Sequence, residues 1–250
     1  MSAPLCITFG LAVILFVYAS ASEQARLELE FQRRTDALAH DIEKGWNGYL
    51  DVLESIAGYH ASSGSVDRLG FRTFVNRWFA RHPGIQALEW VPRVPANERA
   101  AFEEAVQREG FPNFRIAEQD AKQQMAPAAQ RSEYFPVHYV EPFEGNQIAL
   151  GFDVASKPLR LAALNQARDT GKPVATAPVR LIQETGRQIG VLIFVPVYGG
   201  RLLPESVEQR RANLRGYALG VFRIGDVVSA SLRDVDSSGI ELELRDADAA

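Results

Sequence analysis

IGVLIFVPVY at residues 189–198 decides how the rest of the chain is read. It follows VATAPVRLI (174–182) across the polar turn Glu184-Thr185-Gly186-Arg187, which reads as two antiparallel strands. A hydrophilic segment, 199–215, separates this pair from a further strand, YALGVFRI (217–224). Upstream, EYFPVHYV (133–140) and QIALGFDV (147–154) read as strands joined across 141–145, with Pro136 marking an edge or a bulge. IQALEWVPRV (85–94), residues 113–118 and the alternating IELEL (240–244) add three more, and 119–130 is a polar, Ala-rich loop. Short helices interrupt the strands. Phe71, Phe74, Val75, Trp78 and Phe79 recur at helical spacing ahead of Pro83-Gly84. A second helix covers 97–109 and ends at Gly110. In a third, Ser156 is the cap, Pro158 lies in the first turn and Gly171 closes the end. Residues 226–232 read as a short fourth. Strands at hairpin spacing with helices between them predict an α+β fold built on antiparallel sheet.

The N-terminus is organised differently. Residues 5–21 (LCITFGLAVILFVYASA) carry no charge and reach the lower length limit for a membrane-spanning helix. Ala19-Ser20-Ala21 also offers a signal-peptide cleavage site, but Met1 to Pro4 lacks the basic flank such a signal needs. The segment that follows favours an anchor. Phe31, Leu38, Ile42, Tyr49, Leu53 and Ile56 form a heptad-like stripe, so a long helix is expected to leave the membrane without a break. The stripe either packs on its own domain or also forms a dimer seam; Gly45, Gly48 and Gly58 make it too impure to separate the two.

Composition removes several function classes. Hydrophobic residues at 46% and charged residues at 23% describe a chain that buries a core rather than a disordered one. Lys plus Arg total 27 against 31 Asp plus Glu, a net charge of -4, which argues against nucleic acid as partner. One cysteine, Cys6, forms no internal disulfide. His40, His60, His82 and His138 lie far apart, so neither a metal site nor a cofactor is expected. No Walker loop, dinucleotide turn, H-E-x-x-H or G-x-S-x-G motif occurs, and no catalytic residue is assigned.

Three segments stand in a recognisable order. Tyr134-Phe135-Pro136-Val137-His138-Tyr139-Val140-Glu141-Pro142 leads to Leu150-Gly151-Phe152-Asp153. Ala163 and Ala167-Arg168-Asp169-Thr170-Gly171 precede Thr176-Ala177-Pro178-Val179-Arg180-Leu181. The strand at 190–198 and Leu214-Arg215-Gly216-Tyr217-Ala218-Leu219-Gly220-Val221-Phe222 close the set. Over residues 71–224 this resembles the CHASE domain, the extracytoplasmic input module of receptor histidine kinases, nucleotide cyclases and diguanylate cyclases. The resemblance implies a transmembrane anchor over 1–21, a stalk helix over 22–65 and two PAS-like subdomains. The distal one would cover 66–200, and the proximal one, cut short, would begin within 201–250.

In such domains the distal subdomain holds a small flat ligand, a cytokinin in plant members. By motif, Asp153 matches the acid that hydrogen-bonds the ligand's polar edge. Thr170 matches a pocket-lining threonine, Ala175 a backbone contact and, more loosely, Thr185 a further contact. A buried carboxylate needs donors. Those at Asp153 are either a ligand's N–H groups or the backbone of Ser156 and Lys157, unless the acid faces water. Thr170 lines the pocket or bonds its own helix turn. Phe135, Tyr139, Phe152 and Phe194 are either aromatic pocket walls or core packing. Arg168 and Arg180 either clamp an anion or pair with acidic neighbours.

The sequence thus predicts a non-catalytic sensory domain. It would be anchored in the inner membrane, face the periplasm or exterior, dimerise through its stalk and bind a small molecule. The output enzyme would lie beyond Ala250. Two rivals remain open: a protein-interaction or dimerisation module whose outer lobe is filled in, and a secreted hydrolase released near Ala21.

Overall fold

A computed structural model describes residues 3–181, 189–200, 203–233, 235 and 239–243. The chain runs through α1 (Ala3–Ser62), α2 (Arg68–Phe79), β1 (Ile85–Pro92), β2 (Val94–Pro95), α3 (Arg99–Arg108), β3 (Ala117–Gln119), β4 (Met125–Pro127) and β5 (Glu133–Tyr134). Next come β6 (Tyr139–Glu141), α4 (Pro158–Thr170), β7 (Val174–Ala175), β8 (Val179–Arg180), β9 (Ile189–Tyr198), α5 (Val207–Asn213), β10 (Leu214–Arg223) and α6 (Ile224–Ser231). The main sheet is antiparallel in the order β6-β1-β10-β9-β7, with β8 also on β9; β2-β5 and β3-β4 are separate small pairs.

The three central strands are apolar at both parities, so neither face of the sheet can meet water. Ala87, Val91, Leu192, Phe194, Tyr217, Leu219 and Val221 point to one face, where Ala163, Leu164 and Ala167 of α4 cover them. Leu88, Trp90, Val191, Ile193, Val195, Ala218 and Phe222 point to the other, against α1, α2 and α6. Tyr217 Oη donates to the Leu164 carbonyl at 2.9 Å, and Tyr198 Oη donates to the Arg168 carbonyl, which pins α4 in place with the phenolic donors satisfied.

α1 is one unbroken helix of 60 residues. Only its C-terminal part carries a regular buried face: Tyr49, Val52, Leu53, Ile56, Ala57 and His60 recur at three- and four-residue steps. Of the expected stripe, Leu38, Tyr49, Leu53 and Ile56 are buried, while Phe31 is exposed. Glycines set the closest approaches. A Cβ at Gly220 would stand 2.5 Å from the Phe222 ring and 3.0 Å from Leu53, so its absence lets α1 lie flat on β10. A Cβ at Gly45 would meet Ser231 Oγ at 2.2 Å, which fixes how tightly α6 abuts α1. Phe9, Leu11, Ile14, Phe16 and Tyr18 are exposed around the first turns. Among the described residues no helix is long and apolar enough to cross a membrane, so the span expected over 1–21 is not found there.

Several expectations are corrected. Residues 147–154 do not form a strand: Gln147–Ala149 and Val154–Ser156 are 3-10 turns. Pro136 splits 133–140 into β5 and β6, which belong to different sheets. The polar loop 119–130 contains β4, which pairs with β3. Ser156 does not cap α4; the cap is Lys157 without a side-chain bond, and Ser156 Oγ is buried with no partner among the described residues. Residues 240–243 form no strand, and Leu244 lies outside the described residues. The main sheet runs on to Arg223, because β10 pairs with both β1 and β9.

Leu53 is fully buried where α1 meets β10. Leu53→Ala is expected to lower the unfolding free energy by about 2–5 kcal/mol in urea titrations. Leu69→Ala, on the exposed side of α2, should change it by less than about 0.5 kcal/mol.

Candidate ligand-binding site

On the α4 face a cavity of about 10 Å3 lies between β1, β9, β10, α4 and the 137–152 segment, lined by Glu89, Val137, Ala149, Phe152, Arg160, Leu181, Leu192 and Val221. That volume takes about one water molecule. Its distinguishing feature is charge. Glu89 is 2% exposed and Arg160 6%.

Local sequence puts both there. Leu88 and Trp90 point toward α1, so the alternation of a strand turns Glu89 to the other face beside Ala87 and Val91. Arg160 begins the buried face of α4, continued by Ala163, Leu164 and Ala167 at helical spacing. Burial pushes the Glu89 carboxyl up to about 8, although the Arg160 charge pulls it down. Burial likewise lowers the Arg160 guanidinium, against the opposing pull of Glu89. The guanidinium also lies over the Phe152 ring, 5.1 Å from its centroid. An acid and a base sunk in an apolar core are costly unless partnered, and here each acts electrostatically on the other. Together they present an acceptor or protonated donor and a planar donor fork to one small volume. Among the described residues no group of His, Cys, Asp and Glu could hold a metal ion.

The residues expected from sequence scatter. Phe152 alone lines the cavity. Phe135 and Phe194 are buried in the same core, each edge-to-face with Tyr217 at 5.6 and 5.9 Å. Tyr139 lies on the opposite face, where its hydroxyl donates to the Val66 carbonyl at 3.0 Å; it cannot share a wall with them. Asp153 is fully buried, with its acceptors already engaged. Its Oδ1 accepts from Phe135 N at 2.9 Å and from Ala155 N at 3.2 Å, and Oδ2 from Arg131 Nη1 at 3.3 Å. Burial raises its carboxyl; the Phe135 amide and Arg131 act against that. Thr170 is exposed and donates to the Gln166 carbonyl of its own turn at 2.7 Å. Ala175 is exposed on β7. Arg168 pairs with Asp169 at 2.7 Å. Thr185 and the Arg180 side chain lie outside the described residues.

A family model described as CHASE domain matches residues 64–250. The chain belongs to the CHASE domain family. Its relatives include a germination-specific adenylate cyclase of Dictyostelium discoideum, 23% identical over 92% of this chain and 27% of the relative. Hybrid signal transduction histidine kinase A of the same organism is 29% identical over 81% of this chain and 10% of its own length. The chain thus spans little more than a quarter of these relatives at most. Among solved structures, an extracellular ligand binding receptor from Desulfohalobium retbaense aligns over 80% of this chain and 27% of its own, with 9% identity and a TM-score of 0.46. CHASE domains are sensory rather than catalytic, and the relatives are enzymes through other domains.

Asp153→Ala is expected to strip acceptors from two buried amides and destabilise the fold by about 2–4 kcal/mol in urea. Glu89 gives a pH signature. Its folded value stands above the usual 4.5, so its contribution is fully present below 4.5 and is lost as pH climbs through about 8. His60, lowered to about 3 by burial against Trp90, acts in the opposite sense, adding stability that is lost as pH falls below 6.5. The difference between wild type and Glu89→Gln isolates the acid. Unfolding free energies between pH 5 and 8 should fall more steeply with pH in wild type, by at most about 1.4 kcal/mol per pH unit.

Proposed function

We propose that this chain is the sensory input module of a membrane receptor and takes up a small polar molecule on the α4 face. The observation that carries this reading is the pair Glu89 and Arg160, buried on two walls of one cavity. A ligand that offers both a donor and an acceptor, or opposite charges, would engage both groups at once. The cavity as described takes one water, so uptake requires the side chains around it to move. Residues 1–21 would enter the bilayer, which accounts for exposed apolar side chains such as Phe9, Ile14 and Phe16. The sensing lobe would face outward, and the stalk would pair with a second copy beside Phe31. An output enzyme would follow, as in the kinase and cyclase relatives.

One observation favours the interaction-module reading. Phe152 and Phe194 are fully buried and fill much of the α4 face, as a lobe without a guest requires. Thermal-shift measurements on the full chain separate the two readings. The panel should hold planar nitrogen bases, amino acids and small carboxylates. One class is expected to raise Tm, with stabilisation approaching about 2.7 kcal/mol at a hundredfold excess over Kd. Glu89→Gln and Arg160→Met should abolish that shift while remaining folded. A folded wild type that no compound stabilises would leave the interaction module standing.

A further inference from the structure

A second site lies on the outer flank, away from the main sheet. The α3–β3 connection, the β3–β4 hairpin and the 147–149 turn enclose an open groove of about 610 Å3. Small-molecule sites span roughly 300–1,000 Å3. Its walls are mixed: Phe111, Phe114, Met125, Ile148 and Leu150 supply an apolar strip beside the polar Asn113 and Gln147, and Met125 and Ile148 are exposed.

Among the described residues Arg115 is the one charged side chain lining the groove. Of the cations on nearby segments, Arg68 pairs with Glu109, Arg99 with Glu103, and Arg131 with Glu118 and Asp153, whereas Arg108 and Lys122 make no ion pair among the described residues and do not line the groove. Arg115 has no ion pair or side-chain hydrogen bond among the described residues. Its backbone is nonetheless fixed. Gly151 has φ +82°, and a Cβ there would stand 2.5 Å from the Arg115 carbonyl oxygen. Ala117 N donates to the Gly151 carbonyl at 2.9 Å. A single unneutralised guanidinium, held at the rim of a trough with an apolar strip, complements a molecule with one anionic end and an apolar body.

We propose that this groove binds an amphipathic carboxylate, an acyl or aryl acid, with its head on Arg115 and its body against Met125, Ile148 and Leu150. Binding there needs nothing of the core cavity. The two places nevertheless share a wall. Gln147, Ile148 and Leu150 face the groove, while Ala149 and Phe152 of the same segment face the cavity. A guest in the groove therefore bears on the segment that shapes the cavity around Glu89 and Arg160.

Isothermal titration of the full chain with decanoate, below its micellar concentration, tests this. Saturable one-to-one binding is expected. Arg115→Gln should weaken it about tenfold or more, as loss of a charge-assisted contact implies. Ile148→Glu should remove it, and Arg77→Gln, on exposed α2, should leave it unchanged. Decylammonium should not bind. Both altered groove residues are exposed, so the variants should unfold at the wild-type urea midpoint. Absence of saturable binding, equal affinity for decylammonium, or wild-type affinity in both groove variants would overturn the assignment. So would self-association that Ile148→Glu disrupts without any uptake of decanoate, since the groove would then be a contact between copies.

Discussion

Everything in this molecule answers to one constraint: β1, β9 and β10 are apolar on both faces. A sheet of that composition is stable only between two layers, and α4 supplies one while α1, with α2 and α6, supplies the other. The consequence is that α1 is an integral part of the sensing fold. Its buried face, Tyr49, Val52, Leu53, Ile56, Ala57 and His60, is as much core as the strands are. Removing the helix would expose Leu88, Trp90, Ile193 and Phe222 together.

The same constraint sets the distance between site and helix. Glu89 faces the cavity, and its neighbours Leu88 and Trp90 in the same strand face the α1 layer. The two environments are separated by one sheet, with packed layers about 10 Å apart. Glu89 thus sits on a strand whose other side holds the long helix. Gly220 tightens that link, because no side chain intervenes between β10 and Leu53.

Much of the architecture was legible in the sequence. Strands with apolar residues in unbroken runs, such as 189–198, and helices with a clean stripe, such as α2, appear where their patterns put them. The failures share a cause. In 147–156 the backbone is pinned by tertiary bonds, Ala117 N to Gly151 O and Val137 N to Phe152 O, so alternation that looks like a strand is folded into turns. The candidate site was less legible. Asp153 was singled out by its match to the family's ligand-binding acid, but a motif could not show that Phe135 N, Ala155 N and Arg131 would also hydrogen-bond it. Glu89 and Arg160 were missed although a signal existed. Glu89 sits at the centre of a strand apolar on both sides, and Arg160 holds a position in the stripe 160, 163, 164, 167. A charge at a core position of a regular pattern is the more informative mark, because burial there follows from the periodicity itself.

The contact between Gly45 and Ser231 divides α1 into unequal arms. With no side chain at Gly45 to keep them apart, the two helices come into close contact there. About 17 residues run from it to Ser62 and about 42 to Ala3, or roughly 25 Å against 63 Å at 1.5 Å per residue. A rigid rod rocking on that point would turn a displacement of about 1 Å at the sheet end into one of about 2.5 Å, in the opposite direction, at the far tip.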